Sequence, residues 1–200
     1  LKCTQYINFY ILTIFLPNML TWIIIAIVAI LVIIFFVYYN RFVTLSNQID
    51  NSLAQINVQL KKRSDLVPNL VEMVKGYMKH ESKIITQVTE ARKSLVSAVG
   101  IEKRMKAGNK LQHALGSLFA IAENYPQLRA NENFLQLQNE LSAIEDKVAY
   151  ARQFYNDGIM TYNTMTQVVT GRWFAGLYGF SAKEYLKIAE AEKAVPKVEF

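Results

Sequence analysis

The sequence predicts an all-α protein. An N-terminal transmembrane helix is followed by an up-and-down antiparallel four-helix bundle with long helices. Three observations lead there. Residues 20–39, LTWIIIAIVAILVIIFFVYY, hold no charge. Beyond Arg41 the apolar residues recur at steps of three and four, with little of the alternation that marks strands. Pro, Gly and short polar runs then punctuate that spacing at long intervals.

Roughly 20 apolar residues at about 1.5 Å each cross a hydrocarbon core of about 30 Å. In residues 20–39, Leu20 and Trp22 stand at one end, with Tyr38, Tyr39 and Arg41 at the other. Amphipathic rings favour the headgroup layer, so these five residues are the expected membrane anchor. The rest of the chain offers no apolar shell large enough to bury such a helix. A cleaved leader fits poorly, because the run is too long and no small-x-small site follows it. No Lys or Arg lies between Lys2 and Arg41, which favours an outside N-terminus and a cytoplasmic bundle.

Residues 1–19 form a short separate segment. The apolar stretch 6–16 is too short to span alone, and Pro17-Asn18 are expected to interrupt it. It is either sequence upstream of a natural start at Met19 or an interfacial segment. Cys3 is the sole cysteine and reads as an unmodified thiol.

The first bundle helix continues from the anchor, with Phe42, Leu45, Ile49, Leu53, Ile56 and Leu60 on one face. Lys61, Lys62 and Arg63 would close it, where cations suit the dipole. Ser64 or Asp65 would cap a second helix with Pro68 in its first turn, since proline pushes Val67 out of the α region. That second helix runs to about Val99 along Leu70, Val71, Val74, Met78, Ile85, Val88, Ala91 and Leu95, and stops at Gly100. The third, about 101–125, carries Leu111, Leu115, Leu118, Ala122 and Tyr125 on one face.

The fourth has the clearest pattern: Phe134, Leu137, Leu141, Ile144, Val148, Ala151, Tyr155, Gly158, Tyr162, Met165 and Val169. This 3.5-residue repeat predicts left-handed coiled-coil packing along a rod of roughly 54 Å. A permissive Gly171 would end it. Ser181 and Glu184 would form a capping box for a last short helix, and 190–200 would be a loose tail.

The net charge of +6 is uneven. Residues 41–113 balance at +7 and residues 114–200 at −2. The basic half could face anionic lipid, an acidic partner or the acidic half of another copy. It could equally be the solvated face of ordinary helices.

Catalytic machinery is hard to find. His80 and His113 are the sole histidines and lack Glu-x-x-His spacing, so no metal site is expected. His80 should be exposed and His113 partly buried. No Gly-rich phosphate loop or nucleophile elbow is present. Nucleic acid is excluded as a partner by the lack of aromatics among the basic residues. No enzymatic activity and no cofactor are expected.

Two stretches remain. Lys62, Arg63, Asp65, Asn69, Glu72, Lys75, Tyr77 and His80 form either a structural turn or an interaction surface at the far end of the first hairpin. Arg172, Trp173, Phe174, Leu177, Tyr178 and Phe180 are too apolar for a solvated tail. They either rest on the membrane surface or seal the end of the bundle.

Residues 59–81 (QLKKRSDLVPNLVEMVKGYMKHE), 150–164 (YARQFYNDGIMTYNT) and 175–180 (AGLYGF) resemble the motifs of LemA family proteins. The resemblance extends from about Met19 to Ala189, with departures at Ser64 and at Val169-Thr170-Gly171. It implies one membrane helix (20–39), a helical bundle (41–189) and no established enzymatic activity. Members of that family often occur near genes for a membrane zinc protease. The resulting expectation is a single-pass scaffold at the bacterial cell membrane that self-associates as a homo-oligomer and shapes or organises the lipid bilayer. The alternative is an adaptor for a membrane protease or another envelope complex.

Overall fold

The computed structural model describes residues 2–186, with side chains from residue 19 onward. The expected tail, 190–200, and the side chain of Cys3 lie outside the described residues. Among those residues the regular elements are all helices, in the order α1 (Lys2–Tyr77), α2 (Ser82–Ser97), α3 (Ile101–Ala122), α4 (Pro126–Arg129), α5 (Glu132–Gln167) and α6 (Val169–Tyr178). The all-α class follows the helical periodicity. Two compact units share the chain: Leu1–Leu45 with Tyr162–Ala182, and Ser46–Thr161 with Lys183–Phe200.

The larger unit is the bundle. Its core takes Ile56, Leu60, Leu70 and Val74 from α1, Val88 and Ala91 from α2, Leu111 and Leu118 from α3, and Leu141, Ile144 and Val148 from α5. Four amphipathic faces thus close on one apolar interior, which is how such helices remove their stripes from water. The one-turn α4 adds the fully buried Leu128.

Pro17 and Pro68 do not break α1, contrary to expectation. Proline at 68 removes the N–H that would bond the carbonyl of Ser64, four residues back. Arg92 of α2 supplies the missing donor: its Nε donates to the Ser64 carbonyl oxygen at 2.8 Å. Val67 and Leu70 on either side are buried, so packing also holds the helix through the proline. Lys61, Lys62 and Arg63 therefore lie mid-helix, and neither Ser64 nor Asp65 is a cap.

The exchange is testable. Arg92→Met should cost about 1–3 kcal/mol by orphaning that carbonyl. Adding Pro68→Ala should restore most of it, because alanine brings its own N–H. Additive losses in denaturant unfolding of the two single variants and the double variant would show that the bond carries no weight.

The turn expected near Pro68 falls instead at residues 78–81, so the expected second helix is divided between α1 and α2. The chain from Lys79 to Lys83 reads KHESK, without one apolar side chain, which interrupts the stripe between the buried Met78 and Ile84. The α2–α3 connection passes through Gly100 at φ 86°, a left-handed conformation suited to glycine. In α5 the seam from Phe134 to Ala151 is buried or half-buried as expected. Further on, Ile159 is also fully buried, and Gly158 lies against Ile49, whose Cγ1 would be 3.1 Å from an added Cβ.

Among the described residues no capping-box helix follows Ser181, since 180–186 are irregular. Asn156 holds them instead. Its Oδ1 accepts from Leu186 N–H at 3.1 Å, and its Nδ2 donates to the Leu186 carbonyl at 3.4 Å. Lys183 Nζ donates to Ser46 Oγ at 2.9 Å. A side-chain amide that satisfies both backbone groups of one residue replaces the hydrogen bonds a helix would have made.

In the smaller unit, α5 ends at Gln167 rather than continuing to Val169. Val168 is extended, at φ −62° and ψ 148°, and α6 restarts after it. Gly171 is not a left-handed cap, because that conformation occurs at Gly179, φ 73°. Phe180 N–H bonds the Ala175 carbonyl at 2.9 Å, closing α6 there.

Candidate functional site

The smaller unit brings the apolar run and the aromatic cluster together. The run around Leu20 and Trp22 is exposed throughout and is long and apolar enough to cross a membrane. Arg41 follows, also exposed. At that end α6 docks by one face. Phe174 stacks on Tyr38 with ring centroids 4.7 Å apart, and Tyr178 meets Phe35 at 5.0 Å and Tyr39 at 5.3 Å. Phe180 packs on the buried Phe42 at 4.8 Å. Tyr178 Oη donates to the Phe35 carbonyl at 2.6 Å, and the Tyr38 and Thr170 hydroxyls lie 2.6 Å apart. Offset and edge-on ring pairs add to simple burial, so this seat is specific.

The other face of α6 is bare. Val169, Trp173 and Leu177, each one turn apart, are 85%, 84% and 68% exposed. The expected cluster therefore divides, because a ten-residue helix presents two faces. Phe174, Tyr178 and Phe180 pack on α1, while Trp173, Leu177 and the exposed Arg172 point away.

In the bundle, Lys62, Asp65, Asn69 and Glu72 are exposed at spacings of three and four, a polar stripe along α1. Lys75 and Tyr77 are exposed near its end, and His80 in the turn that follows. Only these last residues lie at the hairpin end, since α1 runs through Pro68. Arg63 cannot belong to that surface: it is 2% exposed and faces inward with α1's apolar residues. Burial lowers its pKa from the ordinary guanidinium value, and Glu145 acts in the opposite direction. His113 is exposed, not partly buried, because it stands two residues from each of the seam residues Leu111 and Leu115, on the opposite face of α3. The burial of Arg63 was not legible in the triplet Lys61-Lys62-Arg63. Its place seven residues after Ile56 was the available signal.

Among the described residues no cluster of His, Cys, Asp or Glu has the arrangement to hold a metal ion. What the geometry defines is a helical bundle joined to one apolar helix, with an aromatic helix seated at that helix's end.

The chain belongs to the LemA family, whose family model matches residues 52–200. It is similar to magnetosome protein MamQ 2 of Paramagnetospirillum magneticum, at 27% identity over 74% of this chain and 64% of that protein. MamQ of Magnetospirillum gryphiswaldense is 28% identical over the same shares. Protein LemA of Metamycoplasma hominis is 26% identical over 66% of this chain and 62% of its own. The chain thus spans somewhat less than two thirds of the length of these curated relatives.

Proposed function

We propose that this protein is a non-enzymatic, single-pass scaffold that self-associates at a bacterial membrane and organises the bilayer around it. The bare apolar face of α6, seated at the end of an exposed apolar helix, carries this reading. A stripe of Val169, Trp173 and Leu177 beside a membrane-spanning helix finds its partner in lipid, with Arg172 reaching anionic headgroups. Tyr38 and Tyr39 then sit at the headgroup level, with the bundle on the cytoplasmic side. Self-association is supported by Tyr150 and Phe154, one turn apart on α5 and 65% and 68% exposed, and by the basic and acidic halves of the chain. Two relatives are named as magnetosome proteins, which fits a role in organising membrane.

Tryptophan emission tests the lipid contact. In a Trp22→Phe background Trp173 is the one remaining tryptophan. The full chain should show blue-shifted Trp173 emission on transfer from detergent to vesicles containing anionic lipid, together with loss of quenching by iodide. Emission that stays red and fully quenchable in vesicles would remove the lipid contact. Crosslinking in native membranes tests the assembly: a ladder of homo-oligomers is expected, and monomers alone at endogenous concentration would end the scaffold reading.

The polar stripe Lys62, Asp65, Asn69 and Glu72 favours a second reading, an adaptor that presents α1 to a membrane protease or another envelope protein. That reading requires a detergent-stable hetero-complex in a pull-down with mass spectrometry, lost when the stripe is replaced.

A further inference from the structure

A cleft of ≈ 600 Å³ opens between α3 and α5 in the bundle, with Arg63 of α1 in its lining. Gln112 and Ser117 line it from α3, and Gln138, Ser142 and Glu145 from α5. His113 and the apolar Leu115, Phe119 and Leu141 complete much of the lining, so polar and apolar groups share the wall. Arg63 Nη2 is buried and has no hydrogen-bond partner. One turn earlier on α1, Gln59 Oε1 is in the same condition. A buried donor on a charged group left unmatched costs more than a neutral one, so its retention calls for an acceptor. Glu145 is the acidic group that acts on Arg63, yet it leaves Nη2 unmatched.

We infer that this cleft is a binding site for a small monocarboxylate, held by the Arg63 guanidinium and by the amides and hydroxyls of α3 and α5. The class follows from the charge and shape of the wall. A planar guanidinium matches a carboxylate with parallel N–H···O bonds. Glu145 repels any anion, and a doubly charged phosphate about twice as strongly as a monocarboxylate, while Arg63 is the one permanent cation in the lining. The nearly complete burial of Arg63 restricts the ligand to one whose carboxylate end is slim enough to enter between the helices.

The test uses the full chain in detergent, its unfolding followed by circular dichroism. Sodium acetate and sodium propionate are titrated against sodium chloride at matched ionic strength, with sodium phosphate as a further arm. The carboxylates should raise Tm saturably, by about 4 °C at roughly ten times Kd. Phosphate should do less. Gly116 lies in the cleft wall, and a Cβ there meets nothing within 4 Å. Gly116→Leu should therefore fold, fill the cleft and abolish the carboxylate shift. Arg63→Lys keeps the charge without the fork and should weaken binding at least about tenfold. If that variant does not fold, Gly116→Leu decides. Carboxylate curves that coincide with chloride, a shift that survives Gly116→Leu or a folded Arg63→Lys variant unchanged, or a larger effect of phosphate would each overturn the assignment.

Discussion

Gly171→Ala is expected to unseat α6. A Cβ at this position would lie 1.8 Å from the Met165 carbonyl oxygen and 3.0 Å from Val168 Cγ2. The first is a backbone atom that cannot swing aside, so the connection around the extended Val168 has to open. Overpacking against backbone costs about 3 kcal/mol or more. That exceeds what a few ring contacts are expected to restore, since each pair contributes about 1 kcal/mol. The Tyr38–Thr170 hydroxyl contact and the Phe174–Tyr38 stack should be lost together. Limited proteolysis of the full chain reads this as new cleavage between residues 167 and 180, while the bundle stays helical by circular dichroism. Gly176→Ala is the control, because a Cβ at Gly176 meets nothing within 4 Å. Equal protease resistance in both variants would overturn this expectation.

Leu118→Asp should unfold the bundle or leave it barely stable. Leu118 of α3 is fully buried in the core. The substitution removes about 2–5 kcal/mol of packing and adds a carboxyl group with no partner. Small domains hold only about 5–15 kcal/mol in total. Leu141→Asp makes an instructive contrast. Leu141 is buried too, yet it lines the same cleft as Arg63, whose Nη2 has no hydrogen-bond partner and would attract a carboxylate there. Its loss in denaturant unfolding should be smaller by about 1–2 kcal/mol. Equal losses would mean that the Arg63 charge does not reach that wall.

These two variants separate what could be read from the chain from what could not. The stripes of α3 and α5 were legible because one helix face against one core needs only periodicity, and periodicity is local. Leu111, Leu115, Leu118, Leu141, Ile144 and Val148 are buried as the spacing predicts. The ends of α1 were misplaced for the opposite reason. Pro68 is a local breaker, and nothing within its own segment compensates for the missing N–H. The donor comes from Arg92, 28 residues after Ser64 and on another helix. Likewise, Lys61-Lys62-Arg63 reads as a solvated run, although the third residue turns into the core while its neighbours stay exposed.

The sequence by itself determined the helical class, the apolar run long enough to span a bilayer and the composition of the core, because each rests on the chain's own periodicity and hydropathy. Tertiary structure decided where the helices end, which side of the aromatic cluster is bare and what surrounds Arg63. Those outcomes depend on groups distant in sequence that meet in space: Arg92 at Ser64, Asn156 at Leu186, and Tyr38 and Phe35 at α6. A carbonyl without a helical partner, an irregular segment without a ladder and an aromatic helix without a core are each unstable alone. Each is held by a partner that no local pattern announces.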